Sequence, residues 1–567
     1  MLWKLVGWSR LRPRRSQGPF PKPSPAKPPF RRKAIFEALE SRLLLSADPV
    51  GALLPDGLLA LQLGDNDDRA IIERIDASAA GGDIVRVTIG GVSREYGDDA
   101  LGVVALRIDA GGGDDWIRLV GIGAPTEILG GSGRDTLAGP DGDATWSITA
   151  LDTGVVGSAS FASFEHLLGA DGNADTFVFS AGALLTGGVD GGAGGFDSVV
   201  IDGGAFGRVV HSANGADSGT LDFDGAVLAY AGMEPVVIGA AMTDLVLNAS
   251  AADDVARLGD APAAGQSLLD SLNGAFEDVT FVNPTGSLTI HLGGGDDALT
   301  IGPLDAGFAA ALVVSGDAGR DAVTFAGSLL LPGQSLLVSA ERIAVPAGAA
   351  VSTENGGGPA GDIVLAAADS SDAALATVDA SVTVNGDVRG ANVTLNASAS
   401  YTKETTGLGG LGVQVAVIDA DSTATVAILG GAVAASGNLT IGAASTVAAT
   451  ATAVATASLA GADAAVATVI IDSRATAQIG GASSLAAGGD IAIDVANTVT
   501  ATATADGSGG TAGASVAVAV VDMDTRALVE GAAALAAQNI ALRAGSTSAV
   551  AATAKSTSGG AAADGTA

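Results

Sequence analysis

A chain of 567 residues with 82 glycines, no cysteine and only 4% aromatic residues lacks the large side chains that fill ordinary globular cores. Its 48% hydrophobic content, mostly Ala, Val and Leu, is nevertheless unlike that of a disordered polyelectrolyte, and suits a thin, stacked interior. The net charge of −34 is unevenly divided: residues 1–50 carry 11 of the 28 Lys and Arg but 3 of the 62 Asp and Glu, leaving 17 against 59 in the body. So acidic a body argues against nucleic acid as a partner. The missing cysteines exclude disulfides, thiolate metal sites and cysteine nucleophiles, and no run reaches the roughly 18 apolar residues of a transmembrane helix.

Residues 1–34 are basic and proline-rich, with PFPKPSPAKPPF at 19–30, and read as a disordered, extended tail. The apolar segment before its first arginines is too short for a conventional signal peptide, so export is expected by another route. Residues 35–49 follow. Phe36, Leu39, Leu43 and Leu44 fall at helical spacings, which predicts one short amphipathic helix. The run Leu39-Glu40-Ser41-Arg42-Leu43-Leu44-Leu45 resembles the LEPR-XLL motif near the N-terminus of very long, repetitive bacterial surface proteins, with Ser41 where the family has proline. That resemblance implies a sorting role for the motif.

From 50 to 335 short apolar strands alternate with loops of Gly, Asp and Asn. VVALRIDAGGGDDWIRLVG at 103–121 puts a glycine-aspartate loop between two strands, and the grammar recurs at 287–302 and 312–327. GGSGRDTLA at 130–138 fits the nonapeptide GGxGxDxUx of calcium-binding β-rolls, and five looser relatives surround it. Their aspartates are Asp115, Asp135, Asp175, Asp197, Asp297 and Asp321. The pairs Asp115 with Asp135, Asp175 with Asp197, and Asp297 with Asp321 lie 20, 22 and 24 residues apart, about one solenoid coil. The apolar residues Ile117, Leu137, Phe177, Val199, Leu299 and Val323 are expected to anchor the loops inward.

Residues 336–385 are transitional. Over 386–567 a longer repeat takes over, with ANVTL at 391, GNLTI at 437, GDIAI at 489 and QNIAL at 538 spaced by 46, 52 and 49 residues. DSTA at 421, DSRA at 472 and DTRA at 524 form a second landmark at 51 and 52. Runs such as TVTATATA at 498–505 have period 2 and a β-branched residue at every second position, which costs helix stability, so strands are expected: Ala on one face and stacked Thr on the other. The repeat reaches Ala567 without a polar cap, which predicts that the natural array continues.

The glycine-aspartate half resembles the repeats of RTX-type secreted proteins, and the longer repeats resemble those of filamentous haemagglutinin-like and leukotoxin-like adhesins. In the RTX class, contiguous turns share a calcium ion, which implies calcium at the six aspartates, with Asp114, Asp296 and Asp317 as added ligands. The same residues also suit plain turns, Gly for positive φ and Asp for local hydrogen bonds, and both readings stay open. His166, His211 and His291 lie outside any motif, and no GxSxG, HExxH or complete P-loop occurs. No catalytic residue is assigned and no enzyme activity is expected. The expectation is an all-β chain, a parallel β-solenoid of the β-roll or β-helix kind, acting as an extracellular or cell-surface structural or adhesive protein. Its partners would be calcium ions, a host, neighbouring-cell or matrix surface, and further copies of itself. A polysaccharide-acting β-helix enzyme, or the non-catalytic N-terminal part of a larger exported enzyme or toxin, is the competing expectation.

Overall fold

The computed structural model describes residues 50–407, 412–455, 462–509, 512–557 and 561–566. The basic tail at 1–34 and the helix and LEPR-XLL-like motif at 35–49 lie outside the described residues. Within them the chain forms 46 strands and no helix. Two long sheets of 21 and 19 strands carry the fold, and a third sheet of six runs beside the later coils. Parallel pairing of one coil on the next dominates, so the architecture is the parallel β-solenoid that the short repeats imply.

Alternation along each strand produces the core. Strand Asp83–Ile89 buries every second residue, and the inward residues stack into columns. One column runs Ala70, Ile117, Leu137, Leu167, Val189, each the direct partner of the next. All five are at most 4% exposed. A solenoid adds such layers without thickening, which is how a chain poor in aromatic residues still closes a dry interior.

Four antiparallel meanders interrupt the parallel stacking, and the repeat pattern alone does not announce them. They cover 69–96, 145–162, 205–231 and 255–282. Each has three strands, and an odd number returns the chain to its original direction, so parallel stacking resumes. In the second, Ala159–Ala162 pairs with the preceding coil at Thr126–Leu129, whereas Thr145–Ala150 pairs with the following coil at Thr176–Ser180. The local signal is turn chemistry. Gly90-Gly91 and Asp224-Gly225 both have positive φ at two successive positions, as the two-residue hairpin loops closed by Ile89 with Val92 and Phe223 with Ala226 require.

At the transition the third sheet begins with Ser328–Leu330 over Ala350–Ser352, and strands lengthen from Ile363–Ser371 onward. Beyond 386 two strands of 14–18 residues and one short strand make each coil, as in Leu439–Val454, Ala462–Ile479 and Ser484–Ala487. Val393, Leu439, Ile491 and Ile540 are direct partners, so the first landmark gives the true register. The second landmark slips at its last member. Asp421 and Asp472 pair, but Asp472 then meets Asp522, and Asp524 sits opposite Arg474. The residues of DTRA look alike while the backbone register follows the flanking valines and alanines. Ala501, Ala503 and Ala505 face inward, fully buried, while Thr446, Thr498 and Thr547 stack on the outer face, as do Thr452, Thr504 and Thr553.

Candidate functional site

The glycine-aspartate turns are the most organised polar feature of the first half. At Gly133 (φ 132°) and Gly319 (φ 143°) the chain adopts a conformation closed to other residues, and a Cβ there would overlap the carbonyl oxygen of Gly113 or Gly295 one coil back. These glycines let the backbones of successive turns approach. Two residues later the aspartate turns inward, and two beyond that an apolar residue locks the turn. Ile117, Leu137, Phe177, Val199, Leu299 and Val323 are all at most 1% exposed.

The six aspartates are buried, none above 3% exposed. Their carboxylates lace one coil to another. Asp135 Oδ1 accepts the backbone N–H of Asp115 at 2.8 Å, Asp197 that of Asp175 at 2.6 Å, and Asp321 that of Asp297 at 2.9 Å. The three expected pairs are therefore stacked neighbours; the three stacks remain separate from one another. Each stack also extends beyond its pair. Asp115 accepts from the N–H of Asp68 (2.8 Å), Asp175 from Ala144 (2.8 Å) and Asp297 from Asp254 (2.7 Å). Glutamates close two stacks, Glu165 on the N–H of Asp135 and Glu341 on that of Asp321, both at 2.7 Å.

An outer row of exposed aspartates laces in the opposite direction. Asp67 accepts from the N–H of Asp114, Asp114 from Arg134, Asp253 from Asp296, and Asp296 from Arg320, at 2.8–3.0 Å. Inner carboxylates thus reach back to the previous coil and outer ones reach forward to the next. Sequence spacing missed Asp68, Asp254, Glu165 and Glu341. The recoverable signal was the Asp-Asp doublet, at 67–68, 114–115, 253–254 and 296–297. Meanders between doublets stretch the separation to 47 and 43 residues and hide it from a search at 20–24.

Burial sets the electrostatics. It pushes Asp115 up to about 7, against the Asp68 N–H and helped by the charges of Asp135, Asp68 and Asp67. Asp297 is likewise pushed up to about 7, and Asp135, Asp175, Asp197, Asp254 and Asp321 are raised for the same leading reason. The second oxygens of Asp115, Asp135, Asp297 and Asp321 are buried without a hydrogen-bond partner. A buried carboxylate oxygen without a donor is costly when charged, so these positions favour a proton or a bound cation. Among the described residues no three acidic or histidine side chains converge on one point. The stacks therefore offer single carboxylate oxygens beside loop backbone, and a hard cation there would draw most of its oxygens from loop carbonyls or water.

The remaining expected ligands have other partners. Asp317 pairs with His291 at 3.0 Å and accepts from Ser315 Oγ at 2.7 Å. His166 contacts Arg134 at 2.6 Å, and His211, buried beside the Tyr230 hydroxyl at 2.6 Å, is pushed down to about 4 by burial. No two of the three histidines share a site.

The later coils carry a different polar device. Between the two long sheets a file of buried hydroxyls runs from Ser422 to Ser445 (2.7 Å) to Ser473 (2.8 Å), and ends on Asn497, whose Oδ1 accepts from Ser473 at 2.7 Å. Asn497 Nδ2 donates in turn to the Ser473 carbonyl at 2.8 Å. The serines of DSTA and DSRA are thus internal, a role their polar neighbours conceal. The chain matches no protein-family model, no curated protein and no solved structure.

Proposed function

We propose that the chain is a structural protein of the cell surface or extracellular space, adhesive or matrix-forming. One observation carries the reading: buried polar side chains join coil to coil, in the acid stacks between Asp68 and Glu341 and in the hydroxyl file from Ser422 to Asn497. Such lacing serves length and stiffness. The LEPR-XLL-like run at 39–45 and the adhesin-like repeats agree with it. The partners would be a host, neighbouring-cell or matrix surface, or further copies of the chain. Protease shaving of intact cells, followed by immunodetection of the 50–335 segment, tests this. Loss of the signal on shaving, with reduced cell aggregation in a deletion strain, is expected; a signal that survives shaving and is recovered with cytoplasmic proteins ends the reading.

A second reading concerns calcium and is favoured by the orphaned oxygens of Asp115, Asp135, Asp297 and Asp321. A cation at these turns would neutralise carboxylates whose ionisation burial disfavours, with Asp175 and Asp197 as a third expected location. Calorimetric titration at roughly millimolar calcium, the range of extracellular calcium modules, should register binding together with a higher melting temperature. Neither change at pH 8, where protons compete less than at pH 7, would remove calcium from the account.

A further inference from the structure

A cleft of about 250 Å³ opens where the turn at 192–197, the segment before Val236–Ile238 and the loop between Gln266–Ser271 and Val279–Val282 meet. Its walls include Phe196, Glu234, Pro235, Phe276, Glu277 and Asp278. No Lys, Arg or His lines it. Phe196 stands in the outer row, where other turns carry Asp114 or Asp296, and the residue is 62% exposed.

Glu277 is unlike the acids of the stacks. It is 3% exposed, its carboxyl makes no hydrogen bond, and its oxygens are not among those sealed inside the protein, so its trace of exposure is on the cleft. Burial, then the charges of Glu234, Asp217 and Asp278, push it up to about 8; the Tyr230 hydroxyl, itself raised, is the other titratable group that feels it. Asp278 is partly committed, since its Oδ1 accepts the N–H of Ser271 at 2.8 Å.

Three properties narrow the ligand. Carboxyl groups without a basic neighbour exclude anions. A chelated metal needs convergent ligands, and no three acidic groups converge among the described residues. An ammonium group donates three hydrogen bonds to acceptors that need not converge, and is also attracted to an aromatic face. Phe196, Ala216, Pro235 and Phe276 make part of the lining apolar, and the volume lies below the roughly 300–1,000 Å³ of sites for larger ligands, so the cleft suits a single ring. We propose that this cleft binds an amine-bearing sugar, one deacetylated hexosamine unit of a glycan, with the ammonium at Glu277 and Glu234 and the C–H face of the ring against Phe196 and Pro235. The site stands independently of the adhesive reading and of calcium.

Titration of the full chain with a glucosamine trisaccharide and with its N-acetylated counterpart tests the site. The free amine should bind at least about tenfold more tightly, the ratio expected when a charge-assisted hydrogen bond is lost. At pH 7 binding should release protons, seen as a dependence of the heat on buffer ionisation, because an ammonium favours the charged form of Glu277. Glu277→Gln should abolish both the preference and the proton release while melting no lower than the parent at pH 7; Glu234→Gln should weaken binding with the proton release retained. Equal affinity for the two sugars, no binding of either, or binding unchanged by Glu277→Gln would overturn the proposal. So would calcium binding that Glu277→Gln abolishes in a chain that ignores both sugars.

Discussion

The two halves of the solenoid solve the same stacking problem with different chemistry. Over 50–335 strands are mostly three to nine residues long, and the coils are joined at their corners by carboxylates accepting backbone N–H groups. Over 386–567 the long strands reach 18 residues, and the coils are joined along their length by in-register ladders with one internal file of hydroxyls. Short strands leave much of each coil in turns, whose N–H groups need acceptors that strands would otherwise supply. Long strands need no such help, so the later half dispenses with buried acids almost entirely. Aspartates of the first half gather at its turns, whereas Asp419, Asp421, Asp472, Asp494, Asp522 and Asp524 lie within long strands, and the larger response to pH is expected from the first half, although burial also raises Asp472.

The sharpest way to break the comparison is at the turn glycines. Gly319→Val forces a β-branched residue into a positive-φ position and against the Gly295 carbonyl; backbone strain alone costs about 1–3 kcal/mol, and the overlap adds to it. Hydrogen exchange on the full chain should show lost protection near 293–325 with the ladders beyond 386 unchanged. Uniform loss in both halves would deny that they are separately laced.

Asp135→Ala is expected to cost about 1–3 kcal/mol by stranding the buried N–H of Asp115, whereas Asp135→Asn keeps the acceptor and should be milder. Equal effects from the two substitutions would mean that the charge matters and the hydrogen bond does not. In the other half, Ser473→Ala interrupts the hydroxyl file between Ser445 and Asn497, with an expected loss of about 1–2 kcal/mol in urea titration. That loss should be independent of pH.

The pH response itself is a further contrast. Asp115, Asp297 and Glu341 have folded-state values near 7, above those of unfolded carboxyls, so the folded state holds protons that the unfolded state releases. Their contribution is fully present below about pH 4 and is lost as pH rises through 7. In calcium-free buffer the first half should therefore melt at higher temperature at pH 5.5 than at pH 8, and Asp115→Asn with Asp297→Asn should reduce the difference, with Glu277 and Glu341, also raised by burial, supplying the remainder. The smallest effect belongs to the outer threonine stacks. Thr502→Ser, on the solvent face, should change stability by no more than about 0.5 kcal/mol.

Much of the candidate site could be read from residues 111–138 and 293–324, because Gly for positive φ, Asp and an inward apolar residue are local requirements that recur once per coil. The neighbours Asp115 and Asp135 could be paired from a 20-residue spacing. Asp68 and Asp254 could not, since the meanders at 69–96 and 255–282 intervene, although Gly90-Gly91 advertises the first of them. Glu277 gave no sign at all: its neighbours in the chain are ordinary, and its isolation depends on Glu234, 43 residues earlier.

By itself the sequence determined the strand class, the inward and outward faces, the places of the turns and the repeat length, because period-2 alternation and glycine conformation act within a few residues. The tertiary structure alone decided which carboxylates meet, that Asp472 faces Asp522 and not Asp524, that four meanders are folded into the stack, and that Ser422, Ser445 and Ser473 line up inside it. Those outcomes are contacts between coils, and the register that creates them is chosen by the fit of whole buried columns, which no short stretch of chain contains.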